Sequence, residues 1–144
     1  DPKLLAAAKE IETDCPVHFG FAFTSHEILW QAESKLARAS SFGSNEVGFV
    51  DMESTAIADV CARRGLPFLI IRSISDLLEE DLPLDFNRYR DSDGRVAPRK
   101  VLNAVLLRPA AFRGLLELRK RSRICAGRLA AFVERLAPLI DTIL

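Results

Sequence analysis

Thiols are few in this chain and poorly placed to meet one another. Only Cys15, Cys61 and Cys125 occur, an odd number at wide spacing. No CxxC pair is present, so neither a disulfide framework nor the ligand spacing of a zinc site is indicated. Buried free thiols in a reducing compartment are expected. Charge of either sign in excess is also missing, because 20 basic residues balance 20 acidic ones. That argues against broad electrostatic capture of nucleic acid, leaving only a local basic patch open, and no nucleic-acid partner is expected. No apolar run reaches membrane-spanning length, and no charged n-region followed by an h-region opens the chain. A cytoplasmic location is expected. No P-loop, nucleophile elbow or dinucleotide glycine motif occurs, so Ser54 and Ser75 have no visible activating base. His18 and His26 are isolated and read as structural. Internal repeats and low-complexity segments are absent.

What is present suits one globular domain over residues 1–144. Hydrophobic residues make up 49% of the 144 positions and charged residues 28%, enough for a real core. Asp1-Pro2 is a helix start, an N-cap followed by proline at the first helical position. Leu4, Leu5, Ala8 and Ile11 continue at helical spacing. Val17 to Phe23 reads as a strand, apolar enough for a sheet covered on both faces. Ile28 to Ala39 reads as helix, and Ser40 to Asn45 as a polar loop pivoting on Gly43.

Val47 to Met52 is the next expected strand and Glu53 to Arg64 the next helix. Gly65 stands where a C-terminal cap belongs, and Pro67 prevents resumption. Phe68 to Ile74 is strongly β in composition. Leu77 to Arg99 is polar and loop-like. Residues 97–144 form a helical C-terminal region, with Val101 to Leu107 and then Ala111 to Ala137. Gly114 and Gly127 leave the last stretch as one bent helix or two. Strands alternating with helices imply an α/β fold with parallel pairing.

Each acidic candidate follows an expected strand, where α/β folds bind ligands. Asp76 ends the most apolar strand, and neighbours such as Ile74 and Leu77 would help it keep a proton; a solvated loop aspartate is the bland alternative. Glu53 suits the vicinal hydroxyls of a sugar, since an ionised acceptor makes the stronger hydrogen bonds. Its alternative is a first-turn glutamate favoured by the helix dipole. Met52 could lie against a sugar face or simply fill core. Asp51, Glu53 and Asp76 could gather a divalent cation, but no further ligand stands at a suitable spacing, and no metal or cofactor is expected. Arg72, on the face of Ile70, reads as a buried arginine paired with a site anion or a structural carboxylate. Arg119, Lys120, Arg121, Arg123 and Arg128 accompany Leu115, Leu116, Leu118, Ile124, Leu129 and Phe132. They form the solvated face of an amphipathic helix or a membrane-surface contact.

Val50-Asp51-Met52-Glu53-Ser54 and, about twenty residues on, Ile71-Arg72-Ser73-Ile74-Ser75-Asp76 resemble the nucleoside phosphorylase / nucleosidase superfamily, which includes methylthioadenosine nucleosidase. Gly20 and Thr24-Ser25-His26-Glu27 resemble the segment before its base-binding loop. Leu82-Pro83, Asp93-Gly94-Arg95, Arg108-Pro109 and the long C-terminal helix are similar to the hopanoid-associated branch, which removes adenine from adenosylhopane.

The resemblance implies a three-layer α/β fold, a mixed sheet flanked by helices. Its N-terminal strands, anion site and water-activating carboxylate are expected outside this chain, which opens midway through the fold. It implies cleavage of a purine N-glycosidic bond. Glu53 would bind the ribose hydroxyls and Met52 would pack on the sugar. Asp76 would protonate the purine at N7, oriented by Ser75. Leu29 and Trp30 would border the base, and Glu27 would hold that loop. Inorganic phosphate would be co-substrate in a phosphorylase. The expected partners are a small-molecule nucleoside, further copies of the chain, and a membrane surface if the adenosine is lipid-linked. The competing readings are a soluble methylthioadenosine-type nucleosidase or purine phosphorylase, and a non-catalytic remnant that binds a nucleoside or pairs with a partner.

Overall fold

The computed structural model describes residues 1–41, 47–106 and 108–143, apart from the Thr142 side chain. The chain divides into two compact units. The first comprises residues 1–24, 47–74 and 124–144; the second comprises 25–46 and 75–123.

The first unit opens with α1 (Pro2–Lys9), capped by the Asp1 carboxylate, which accepts from the amides of Lys3 and Leu4 at 2.8 and 3.1 Å. Those amides have no partner within the helix, so the cap fixes its start. Leu4 and Ala8, one turn apart, are buried, whereas Ile11 lies beyond the helix end. Strand β1 (Phe21–Thr24) pairs in parallel with β2 (Gly48–Asp51), register Phe21 to Gly48 and Thr24 to Asp51. Helix α3 (Ser54–Arg64) comes next, so strand, helix and parallel pairing make the α/β class. Gly65 ends α3 at φ 62°, a left-handed cap that a Cβ would strain.

Gly20 has a packing reason. A Cβ there would run into the Val47 carbonyl, which accepts from the Phe21 amide at 2.9 Å as the strands meet.

In the second unit, α2 (Ala32–Ala39) and α4 (Pro98–Val105) flank a 3₁₀ turn at Phe86–Tyr89 in the order of the chain. No side chain of its own caps α2. Asp81 does so from 49 residues away, accepting from the Ala32 amide at 2.7 Å. Asn87 clasps Ile28 through its amide and carbonyl, both at 2.9 Å. Helix α5 (Pro109–Ile143) runs unbroken for 35 residues and contributes to both units. Prolines 2, 98 and 109 each start a helix, where a missing N–H removes nothing.

Several expectations are corrected. Phe68–Ile74 forms no strand ladder among the described residues. Its terminal carbonyls find other donors: the Asp1 ammonium at Phe68, 2.7 Å, and the Cys125 thiol at Ile74, 3.2 Å. Apolar β-branched composition favours an extended chain but cannot supply the pairing partner. β1 begins at Phe21, not Val17, and α2 begins at Ala32, not Ile28. Phe21 and Val50 are exposed, so the sheet is not covered on both faces. The three cysteines are half-buried. The segment expected at Val101 to Leu107 starts three residues earlier, with Leu107 outside the described residues. The loop pivot expected at Gly43 also lies outside them.

Candidate active site

In the first unit, the turn from β2 into α3 is built around Asp51. Its Oδ1 accepts from the Thr24 hydroxyl at 3.1 Å and the Ser54 amide at 3.2 Å. Its Oδ2 accepts from the Ser54 hydroxyl and from Arg72 Nε and Nη2, the latter two at 3.0 and 2.7 Å. Burial pushes the Asp51 carboxyl up, but the Ser54 hydroxyl and amide, Arg72 and Thr24 together outweigh it and hold it below the usual range. Ser54 is itself buried. Asp51 is therefore committed to structure.

That commitment orients the two residues after it. Met52 is half-buried, and Glu53 occupies the N-cap position of α3 without using its side chain as a cap. The Glu53 carboxylate is 64% exposed and touches Arg72 Nη2 at 3.3 Å. It is free to accept further hydrogen bonds. Arg72 is 37% exposed, which corrects its expected burial. Its partners are Asp51 and Glu53, so the carboxylate alternative describes it.

In the second unit, Asp76 sits in a different setting. The Ser75 hydroxyl donates to Oδ1 at 3.1 Å. The Lys35 ammonium donates to Oδ2 at 2.5 Å. Lys35 also donates to the carbonyls of Leu77 at 3.0 Å and Glu80 at 2.8 Å. The apolar enclosure expected from Ile74 and Leu77 is absent, because they are 55% and 58% exposed. A cationic partner replaces it.

Asp76 lines a cavity of about 530 Å³. Leu82, Pro83, Ala110, Ala111, Gly114 and Leu118 supply its apolar wall; Glu80, Asp81, Glu117 and Arg121 supply its polar one. Gly114 lets α5 approach Pro83: a Cβ there would lie 2.6 Å from the Pro83 Cβ. Arg121 donates to Glu80 at 2.5 Å and holds the Glu80 carboxyl below the usual range. Leu29 and Trp30 are half-buried and are not among the described residues lining the cavity. The Trp30 carbonyl accepts from the Leu82 amide at 2.7 Å. Glu27 is exposed, and its carbonyl accepts from the Ser25 hydroxyl at 2.8 Å. Of the candidates, Ser75 and Asp76 are brought into direct contact, as are Glu53 and Arg72.

Two residues do more than their sequence signals announce. Asp51 reads in sequence only as a cation ligand, though an aspartate three residues before a helix-starting serine is a capping signal. Lys35 gives one faint sign: it shares a helical face with the small residues Ala32 and Ala39, where close approach is easy.

The chain belongs to the phosphorylase superfamily, whose family model matches residues 1–106. It is similar to 5′-methylthioadenosine/S-adenosylhomocysteine nucleosidases. That of Exiguobacterium is 30% identical over 95 residues, 64% of this chain and 40% of the relative. That of Shewanella halifaxensis is 51% identical over 39 residues, 27% of this chain and 17% of the relative. The chain thus spans well under two thirds of these curated relatives. No solved structure matches it.

Proposed function

We propose that this chain carries nucleoside-cleaving chemistry, breaking a purine N-glycosidic bond and releasing adenine from an adenosine-containing substrate. The observation that carries the reading is Asp76, held by Ser75 and Lys35 on the wall of a cavity of about 530 Å³. That volume suits a small ligand with a few polar anchors. The names of its relatives support the same reaction.

In this reading the C1′–N9 bond breaks with its electron pair going to the purine, and positive charge develops on the ribosyl. Asp76 gives its proton to N7, which makes the base a better leaving group. General acid catalysis of this kind contributes roughly 10²–10⁴-fold. Glu53 accepts from the ribose hydroxyls, using the acceptor capacity its exposure leaves open. The family resemblance assigns Met52 to the sugar and Leu29 and Trp30 to the border of the purine, although none of the three is among the described residues lining the cavity beside Asp76. Water or phosphate then takes the ribosyl group.

The test is adenine release by the full-length protein from adenosine, methylthioadenosine and an adenosine bearing a long apolar 5′ substituent. Preference for the last substrate supports a hopanoid-linked adenosine and gives the exposed basic face of α5 a role at a membrane. Among the described residues no helix is long and apolar enough to cross a membrane. Preference for methylthioadenosine favours the activity for which the relatives are named instead. Turnover that requires added phosphate identifies phosphorolysis, and a change in apparent mass with concentration identifies self-association. Loss of nothing on Asp76→Asn overturns the mechanism, and nucleoside binding without turnover favours a binding remnant.

A further inference from the structure

Helix α2 buries a lysine and exposes a leucine. Lys35 is 9% exposed and Leu36 is 45% exposed. An ammonium withdrawn this far from water is costly unless every proton finds an acceptor. Here the three protons have three: Asp76 Oδ2, the Leu77 carbonyl and the Glu80 carbonyl. Two of those acceptors are main-chain groups of the segment just after Asp76. Asp81, in the same segment, caps α2. The lysine therefore fixes both the carboxylate and the backbone that carries it.

We propose that Lys35 is the positioning residue of Asp76. It occupies Oδ2, while the Ser75 hydroxyl takes one lone pair of Oδ1. The remaining capacity of Oδ1 is what Asp76 presents to a ligand. To act as the acid, Asp76 first takes a proton from solvent on the open lone pair of Oδ1. That proton passes to the departing base, and the ammonium at 2.5 Å steadies the carboxylate left behind. Solvent then restores the proton. Arg121 lines the same cavity, but its hydrogen bond goes to Glu80, so it reaches Asp76 through charge alone. The inference rests on the general-acid reading of Asp76, and its experiment separates the two.

The experiment compares Lys35→Met, Asp76→Asn and the double variant in the full-length protein. Two substrates are used: adenosine, whose base must be protonated to leave, and 4-nitrophenyl riboside, whose leaving group departs as an anion. The expected result is a loss of about 10²-fold or more on adenosine for each single variant, the double variant no worse than Asp76→Asn, and less than about 10-fold loss on the nitrophenyl riboside. Equal losses of Lys35→Met on both substrates overturn the proposal, because a purely structural lysine would act on both alike. Full adenosine activity in Lys35→Met with loss in Asp76→Asn overturns it too, yet leaves the general acid standing. Full activity in Asp76→Asn removes the general acid itself. Adenine binding, read by calorimetry, repeats the cycle without turnover. Non-additive weakening by the two substitutions supports the coupling, and an unchanged dissociation constant in Lys35→Met overturns it.

Discussion

The two acidic centres of this molecule solve the same problem in opposite ways. In the first unit the buried acid is Asp51, and the arginine that pairs with it is 37% exposed. In the second unit the cation is the buried partner, Lys35, and the acid Asp76 keeps 30% exposure. Burying the carboxylate commits it: Asp51 accepts five hydrogen bonds and anchors the start of α3. Burying the ammonium instead leaves the carboxylate accessible while its direction is fixed. An anchored acid builds a turn, and an acid held from behind can meet a substrate. Glu53 belongs with the second kind in one respect, since it too is accessible, but its tie to Arg72 is long and exposed. Such pairs are worth little and yield readily to a better partner.

The largest test of this contrast is Asp76→Asn. Adenine release should fall by roughly 10²–10⁴-fold, because the amide keeps the shape but has no acidic proton to give. Thermal stability should fall as well, because the buried Lys35 ammonium loses its counter-charge. Glu53→Gln comes next. Losing charged hydrogen bonds to a sugar should lower turnover about 10- to 100-fold, on the scale of ~1.5–3 kcal/mol for such bonds. Steady-state kinetics with adenosine check both.

The contrast is broken from the other side at Asp51. Asp51→Ala should leave Ser54 and Arg72 short of acceptors and destabilise by roughly 1–3 kcal/mol, read by denaturant unfolding. The depressed Asp51 carboxyl also sets a pH dependence. Its stabilisation is complete above the ordinary value of 3.8 and is lost as pH falls through the lower folded value. Wild type should therefore lose stability below about pH 4, where protonation empties the carboxylate, and Asp51→Ala should lose less. Gly114→Ala should cost a similar or smaller amount, about 1–3 kcal/mol by overpacking, because the rigid Pro83 ring blocks the new methyl. The smallest effect is expected of Arg121→Ala. It should raise the Glu80 titration towards the usual carboxylate range in an NMR pH series, since Arg121 is the main cause of its depression. Folding should not change measurably.

Much of this is legible in the sequence. Asp1-Pro2 as a capped start, Gly65 as a left-handed stop and the alternation that makes an α/β chain are local signals, and local geometry obeys them. The candidates Met52, Glu53, Ser75 and Asp76 are legible as a spaced pattern resembling a family to which the chain belongs. Phe68–Ile74 is not legible, because its residues show only that the backbone will extend. Whether a ladder forms depends on a neighbour. The start of α2 is hidden for a related reason: its cap, Asp81, is 49 residues away.

By itself, then, the amino-acid order determined the class of fold, the helix ends with local caps, and which acids come after extended segments. Those features arise from forces acting within a few residues. Only the tertiary structure decided that α2 turns Lys35 inward, that Lys35 and not an apolar wall surrounds Asp76, and that Asp51 is an anchor. Each of those depends on groups 21 to 45 positions apart, such as Arg72 with Asp51 and Lys35 with Glu80, meeting within hydrogen-bond distance. The free energy of a buried charge is set by what surrounds it in space, and a helical periodicity carries no record of that.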